Sequence, residues 1–166
     1  MEVQVINKSS NDLPKYETSG SAGFDLKADF TGKTPENIKG FKFATEVNKE
    51  DGVKLIGISI NPGGWALIPT NLFTAIPKGY EVQVRSRSGL ALKHGIFVLN
   101  SPGTIDEDYR NEWGVILCNM GERCFHIAQG DRIAQGVLNK IEQINWVEVD
   151  SLNTTDRNGG FGSTGK

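Results

Sequence analysis

Two cysteines and two histidines are the only soft metal-ligating side chains in this 166-residue chain. Cys118 and Cys124 lie six apart, with no partner pair at ligand spacing. That excludes a zinc finger or ribbon and points to reduced thiols, buried or half-buried. A basic excess is missing too: 18 Lys and Arg stand against 20 Asp and Glu, a net charge of −2. Direct nucleic-acid binding is therefore not expected. No apolar run approaches the roughly 20 residues of a membrane span. The opening MEVQV carries an early acid instead of the basic start and apolar run of a signal peptide. Together these absences predict a protein of the cytoplasm, or of the host cytoplasm if the source is viral, with no membrane partner. Helical periodicity is scarce as well. Only residues 90–94 read as a helix, about one turn long.

Glycine and strand-like alternation fill the gap. Twenty glycines in 166 residues exceed the usual share of about 7%. Period-two alternation recurs at 3–6, 80–85, 113–118 and 144–149. Turns are expected at 61–64 (NPGG), 77–79 (PKG), 101–103 (SPG) and 129–131 (QGD). Many short strands joined by such turns predict an all-β jelly roll or distorted β-barrel. Residues 31–60 hold two further apolar stretches, 41–47 and 53–60, around an Asp51-Gly52 turn. They read as an extra β-hairpin inserted in the barrel. Gly32-Lys33-Thr34 is not a P-loop, because the upstream glycine and following helix are missing. The expected organisation is a β domain over 1–152, with the insertion at about 31–60, and a flexible C-terminal lid over 153–166. The insertion carries no candidate site residue, so replacing 36–58 by a short turn is expected to spare the chemistry. It could also be the seat of a protein partner.

Five polar, glycine-punctuated segments carry the chemistry: 22–26 (AGFDL), 87–90 (RSGL), 100–109 (NSPGTIDEDY), 130–135 (GDRIAQ) and 157–165 (RNGGFGSTG). In the third, a hairpin with Asn100, Pro102 and Gly103 beside apolar residues can form a slot whose backbone groups face a planar base. In a strand, Asp106 and Asp108 would share one face and Glu107 the other. In the second, Arg85 to Gly89 ends a strand and enters the short helix, whose free N–H groups favour phosphate. Ser88 can cap that helix, Gly89 lets backbone approach closely, and Arg87 can bridge phosphate oxygens. In the tail, small residues surround Arg157 and Phe161, making poor core but a good clamp for an anion. His94 and His126 read as packed or surface residues, and no Ser-His-Asp order suggests acyl transfer.

The five segments, in this order over nearly the whole chain, resemble the five motifs of the homotrimeric deoxyuridine triphosphatases (dUTPases). The resemblance implies hydrolysis of dUTP to dUMP and pyrophosphate, which limits uracil in DNA and supplies dUMP for thymidylate synthesis. It places Asn100, Gly103, Thr104 and Ile105 at the uracil, Tyr109 beneath the deoxyribose, and Asp106 as the base that activates water. It places Arg87, Ser88 and Gly89 on the α- and β-phosphates, with Gln135 helping to hold them. Asp25 falls near a Mg²⁺ ion, through water. The tail supplies Arg157 to the terminal phosphates, Phe161 to stack on the base, and Gly162, Ser163 and Thr164 to the γ-phosphate. The family spacing Arg-Gly-x-Gly-Gly-Phe is one residue shorter here, from Arg157 to Phe161. The implied assembly is a homotrimer with shared sites. A dCTP deaminase shares the fold but needs a glutamate base and lacks the Ile-Asp-x-Asp-Tyr hairpin. A dUTPase-fold interaction protein, binding through the inserted hairpin, is the alternative of a different class.

Overall fold

The computed structural model of the chain describes residues 1–50, 52–156 and 159. In chain order its elements are β1 (Gln4–Asn7), β2 (Phe24–Lys27), β3 (Gly40–Asn48), β4 (Lys54–Pro69), β5 (Leu72–Ala75), β6 (Tyr80–Arg85), α1 (Ser88–His94), β7 (Ile96–Val98), β8 (Gly103–Ile105), β9 (Gly114–Asn119), β10 (Phe125–Ala128) and β11 (Arg132–Lys140). One sheet runs β10-β4-β9-β7, with β3 added to β4; the other runs β2-β11-β6-β8; β1 and β5 form a ribbon. The fold is the expected all-β jelly roll. In β6, alternation buries Val82 and Val84 and leaves Glu81, Gln83 and Arg85 outside. The same rule turns Leu26, Ile58, Ile60, Ile68, Ile96, Leu117 and Ile127 into one core shared by both sheets. Each such side chain contributes about 1.5–3 kcal/mol on burial.

The expected hairpin is present: β3 pairs with β4 from Phe43 opposite Ile60 to Asn48 opposite Lys54. Asp51 of its turn lies outside the described residues. The hairpin is not a separable appendage, however. Leu55, Ile58 and Ile60 lie in the core, and β10 pairs with β4 along residues 57–60.

Two expectations fail, each for a tertiary reason. Residues 61–64 do not turn the chain; they lie inside β4. The register with β3 jumps from Phe41 opposite Trp65 to Phe43 opposite Ile60, so Lys42 alone faces four residues. Lys42 (φ 52°) and Gly63 (φ 70°) absorb this bulge. There β4 exchanges one neighbour for another, from β10 to β9. Second, residues 144–149 form no strand, and Ile144, Trp146 and Val147 are 70–85% exposed. Their alternation is intact, but among the described residues they have no ladder partner.

Smaller differences follow local chemistry. Helix α1 starts earlier than residue 90, and Gly95 ends it at φ 67°. Cys118 is buried, which pushes its thiol pKa up. Cys124 is exposed on a polar loop, against the expectation that both thiols would be at least half-buried. Among the described residues no helix is long and apolar enough to cross a membrane.

Candidate active site

Three strands of one sheet bring four of the sequence-selected positions together. Gln135 on β11 stands opposite Asp25 on β2 and opposite Arg85 on β6. Asp25 lies 3.0 Å through Oδ1 from Arg87 Nε and 3.2 Å through Oδ2 from Arg132 Nη1. Arg87 also donates to the Arg132 carbonyl at 2.8 Å. Gln135 Nε2 donates to the Ser86 carbonyl at 2.9 Å, and the Val98 N–H donates to Ser86 Oγ at 2.9 Å. The loop from β6 into α1 is thus tied from both sides. Gly23 allows this packing: a Cβ there would sit 2.9 Å from Gln135 Oε1.

The cap of α1 differs from expectation. Arg87, not Ser88, is the N-cap residue, and no side chain caps the helix. Ser88 and Gly89 are exposed, and a Cβ on Gly89 would meet nothing within 4 Å. The exposed first turn of α1 follows directly on Arg87, an arrangement that favours an anion.

A narrow slot is lined by Val84, Val98, Asn100, Gly103, Thr104 and Ile105, among others. Strand β8 pairs with β6, Gly103 opposite Val84 and Thr104 opposite Gln83. A Cβ on Gly103 would come within 3.1 Å of Asn100 Nδ2 and 3.4 Å of Val84, so a side chain here would crowd Asn100. Ser101-Pro102 is cis. Ile105 is buried, whereas Asn100 and Thr104 are exposed.

β8 ends at Ile105, and residues 106–109 form a turn closed by the Tyr109 N–H on the Asp106 carbonyl at 3.2 Å. Strand parity therefore does not govern Asp106, Glu107 and Asp108 as the sequence suggested. Glu107 Oε2 receives the Gly79 N–H at 2.5 Å. Asp106 is exposed, and among the described residues no group engages its carboxylate. Tyr109 is half-buried against the core, and its hydroxyl donates to the Glu112 carbonyl at 3.0 Å. No hydrogen bond or ion pair joins Asp106 to the Asp25–Arg87 cradle among the described residues.

Arg157, Phe161, Gly162, Ser163 and Thr164 lie outside the described residues. Among those described, no group of three His, Cys, Asp or Glu stands together as a cation site. His94 packs its ring 5.4 Å from that of Phe125. His126 Nδ1 lies 2.8 Å from Glu46 Oε1, outside both clusters.

Sequence reasoning did not single out Arg132 or Glu112. A register shift between Arg132 and Ala134 on β11 defeats a parity count along the strand. An unpaired basic residue inside a motif that already held a phosphate-binding candidate was the available signal.

The fold is a jelly roll that carries a narrow slot beside an exposed carboxylate and a separate Asp25–Arg87–Arg132 cluster. A family model described as dUTPase matches residues 55–165. The chain is 47% identical to the deoxyuridine 5′-triphosphate nucleotidohydrolase of Fusobacterium nucleatum, over 100% of this chain and 98% of that one. It is 45% identical to the protein of the same name from Finegoldia magna, over 99% of each. The chain belongs to the dUTPase family. Solved structures agree on the fold. A Staphylococcus bacteriophage 80alpha dUTPase mutant with dUpNHpp aligns at TM-score 0.75 and 20% identity, over 99% of this chain and 98% of that one. A dUTPase mutant from phage phi11 of S. aureus, described with a structural Mg(II) ion, aligns at TM-score 0.68 and 19% identity, over 91% and 98%.

Proposed function

We infer that this chain is a dUTP diphosphatase: dUTP and water give dUMP and pyrophosphate, which keeps uracil out of DNA and supplies dUMP for thymidylate synthesis. What carries the reading is one adjacency. Ile105 lines a narrow slot, and the next residue, Asp106, is an exposed carboxylate. A nucleotide held by its base presents its 5′ end to that carboxylate. Asp106 then accepts a proton from the water that attacks the α-phosphorus in line. The bond from the α-phosphorus to the bridging oxygen breaks, and pyrophosphate leaves.

Each other residue has one task. Asn100, with the backbone of Gly103, Thr104 and Ile105, reads the uracil edge. The tight slot rejects the thymine methyl by overpacking and cytosine by mismatched donors. Tyr109 lies beneath the deoxyribose and leaves no room for a 2′-hydroxyl. Arg87, Ser88, Gly89 and Gln135 receive the phosphates, where fixed donors stabilise the charge that builds on the leaving group. The tail closes over the nucleotide with Arg157, Phe161, Gly162, Ser163 and Thr164, and residues 153–166 act as a lid on the β domain.

The donor set fits a Mg²⁺ that arrives with the triphosphate. Mg²⁺ retains several waters and is commonly held by substrate phosphates with few protein ligands. Asp25, whose oxygens are both in arginine contacts, would hold such an ion through water. When bound, Mg²⁺ neutralises phosphate charge and favours departure of pyrophosphate.

The enzyme is a cytoplasmic homotrimer with shared sites. The separation of Asp106 from the cradle within one chain supports this. So does the apolar, unpaired stretch around Trp146, which suits a neighbouring copy. A protein partner at the 31–60 hairpin has weaker support, because part of that hairpin is core. Pyrophosphate release with dUTP, dTTP, dCTP and UTP side by side tests the assignment. Strong preference for dUTP is expected, and comparable rates with dTTP would sink the uracil slot.

A further inference from the structure

Between β8 and β9 the chain crosses residues 106–113 without joining either main sheet. Tyr109 sits in this crossing, so something other than a strand ladder must fix its ring. Its hydroxyl donates to the main-chain carbonyl of Glu112 at 3.0 Å. Glu112 is clamped from two sides. Its Oε1 accepts the Asn71 N–H at 2.8 Å, and its Oε2 pairs with Lys33 Nζ.

Both clamps are themselves anchored. Asn71 holds a left-handed backbone, φ 53°. Its side-chain amide donates to the buried Asp29 at 2.6 Å and to the Thr31 carbonyl at 2.9 Å. Lys33 lies two residues beyond Thr31, and its N–H donates to the Phe30 carbonyl at 3.0 Å. The side chains of Lys33 and Glu112 are only 18% and 24% exposed, so water and salt screen this pair less than a surface pair.

We propose that Lys33 and Glu112 are positioning residues for sugar selection: their ion pair fixes the Glu112 carbonyl, which fixes the Tyr109 ring against the 2′-carbon of the nucleotide. Lys33 lies in the segment between the first and second motifs, where no site residue was expected. The inference rests on the reading that places Tyr109 beneath the deoxyribose. Rejection of a ribose needs the ring held where a 2′-oxygen would have to go, so a small relaxation of the ring admits that oxygen. Loss of the pair therefore shows as a gain of UTP turnover relative to dUTP, more than as a general loss of rate.

The test is kcat/KM for dUTP and for UTP in the full-length protein and in Lys33→Met, Lys33→Arg, Glu112→Gln and Tyr109→Ala, with thermal melts as a folding control. Misplacement of a positioning group by about 1 Å can cost roughly a hundredfold. Lys33→Met and Glu112→Gln are each expected to lower the dUTP-to-UTP ratio by about tenfold or more on that scale. Lys33→Arg should restore most of the ratio, and the double variant should be no worse than the worse single one. If Tyr109→Ala loses the ratio while both Lys33→Met and Glu112→Gln keep it, the positioning role is wrong and the sugar site stands. If Tyr109→Ala keeps the ratio, the sugar reading fails and this inference falls with it. Should Lys33→Met not fold, the near-isosteric Glu112→Gln decides alone.

Discussion

Asp25 Oδ1 lies 3.0 Å from Arg87 Nε, so the arginine proposed to receive the phosphates is already oriented by a carboxylate. That carboxylate also reaches Arg132, which makes Asp25 the hub of the cradle. Replacing it by alanine leaves two guanidinium groups without a hub and removes the water-mediated hold on a cation proposed above. The expected result for Asp25→Ala is a fall in kcat/KM of roughly 10–100-fold, the usual scale for an outer-shell partner. The Mg²⁺ concentration for half-maximal rate should rise as well. A Mg²⁺ titration of the variant checks both, and an unchanged midpoint would remove Asp25 from any metal role.

Asp106 differs from Asp25 in having no partner among the described residues, which suits a group that must accept a proton. Asp106→Asn keeps the shape and removes the basicity. Turnover should drop by roughly 10²–10⁴, while a non-hydrolysable dUTP analogue still binds. If most of kcat survives, Asp106 is not the base, and Asp108 becomes the next candidate.

The hairpin β3–β4 changes an expectation drawn from the sequence. Excising 36–58 would remove Ile38, Leu55 and Ile58 from the core and strip β10 of its β4 partners opposite Ile127 and Ala128. Such a protein should fail to fold rather than fold with intact activity. Ile58→Ala isolates the effect: a buried Ile→Ala change costs about 2–5 kcal/mol, read as a lower urea midpoint. A loss below about 0.5 kcal/mol, the range of an ordinary surface change, would return the hairpin to the status of an appendage.

These cases mark what could be read in the chain. β6 was legible because Val82 and Val84 alternate with polar neighbours, and local period alone fixes such a strand. The hairpin strand at 103–105 and the turn after it could be picked out because the motif is contiguous. The bulge at residues 61–64 was not, because Pro62 and Gly63 serve a turn or a strand bend equally well and only β9 and β10 decide between them. The same holds for Arg132 and Glu112: their partners, Asp25 and Lys33, are 107 and 79 residues away. No spacing rule spans such distances.

Asp29 is fully buried and, among the described residues, has no ion pair, yet its pKa is lowered. Burial raises it, but hydrogen bonds from Asn71, Ser10 and Gln129 outweigh that effect. A carboxylate whose folded pKa lies below its unfolded value contributes stability that is complete above the unfolded value, near 3.8. That stability is lost as pH falls through the folded value. Melts between pH 7 and pH 2 should therefore show a drop below about pH 4. In Asp29→Asn the drop should shrink, and stability at pH 7 should fall by about 1–3 kcal/mol as an amide N–H₂ is turned toward other donors. A variant with the parent's acid profile would show that other carboxylates govern it.

The C-terminal stretch separates two roles that one deletion would confuse. Trp146 is 85% and Leu152 86% exposed, and burying such side chains on a second copy gains about 1.5–3 kcal/mol each. Residues 157–165 have little apolar surface beyond Phe161, so their contribution belongs to the bound nucleotide. Ordering a tail costs about 1–2 kcal/mol per residue. Phosphate contacts offset part of this, and stacking of one aromatic ring on a base adds about 1–3 kcal/mol. Truncation after residue 153 should therefore keep the proposed trimer and its melting point but lose most of kcat/KM. Truncation after residue 142 should also yield monomers, seen by light scattering on a sizing column. A trimer that survives the longer truncation shows that the Trp146 stretch is not what holds the copies together, and wild-type kcat/KM after the shorter one removes the lid. Within the tail, Phe161→Ala and Arg157→Ala divide the work. A large loss for the first with none for the second would show that the shortened spacing has drawn the arginine away from the phosphates while the ring still covers the base.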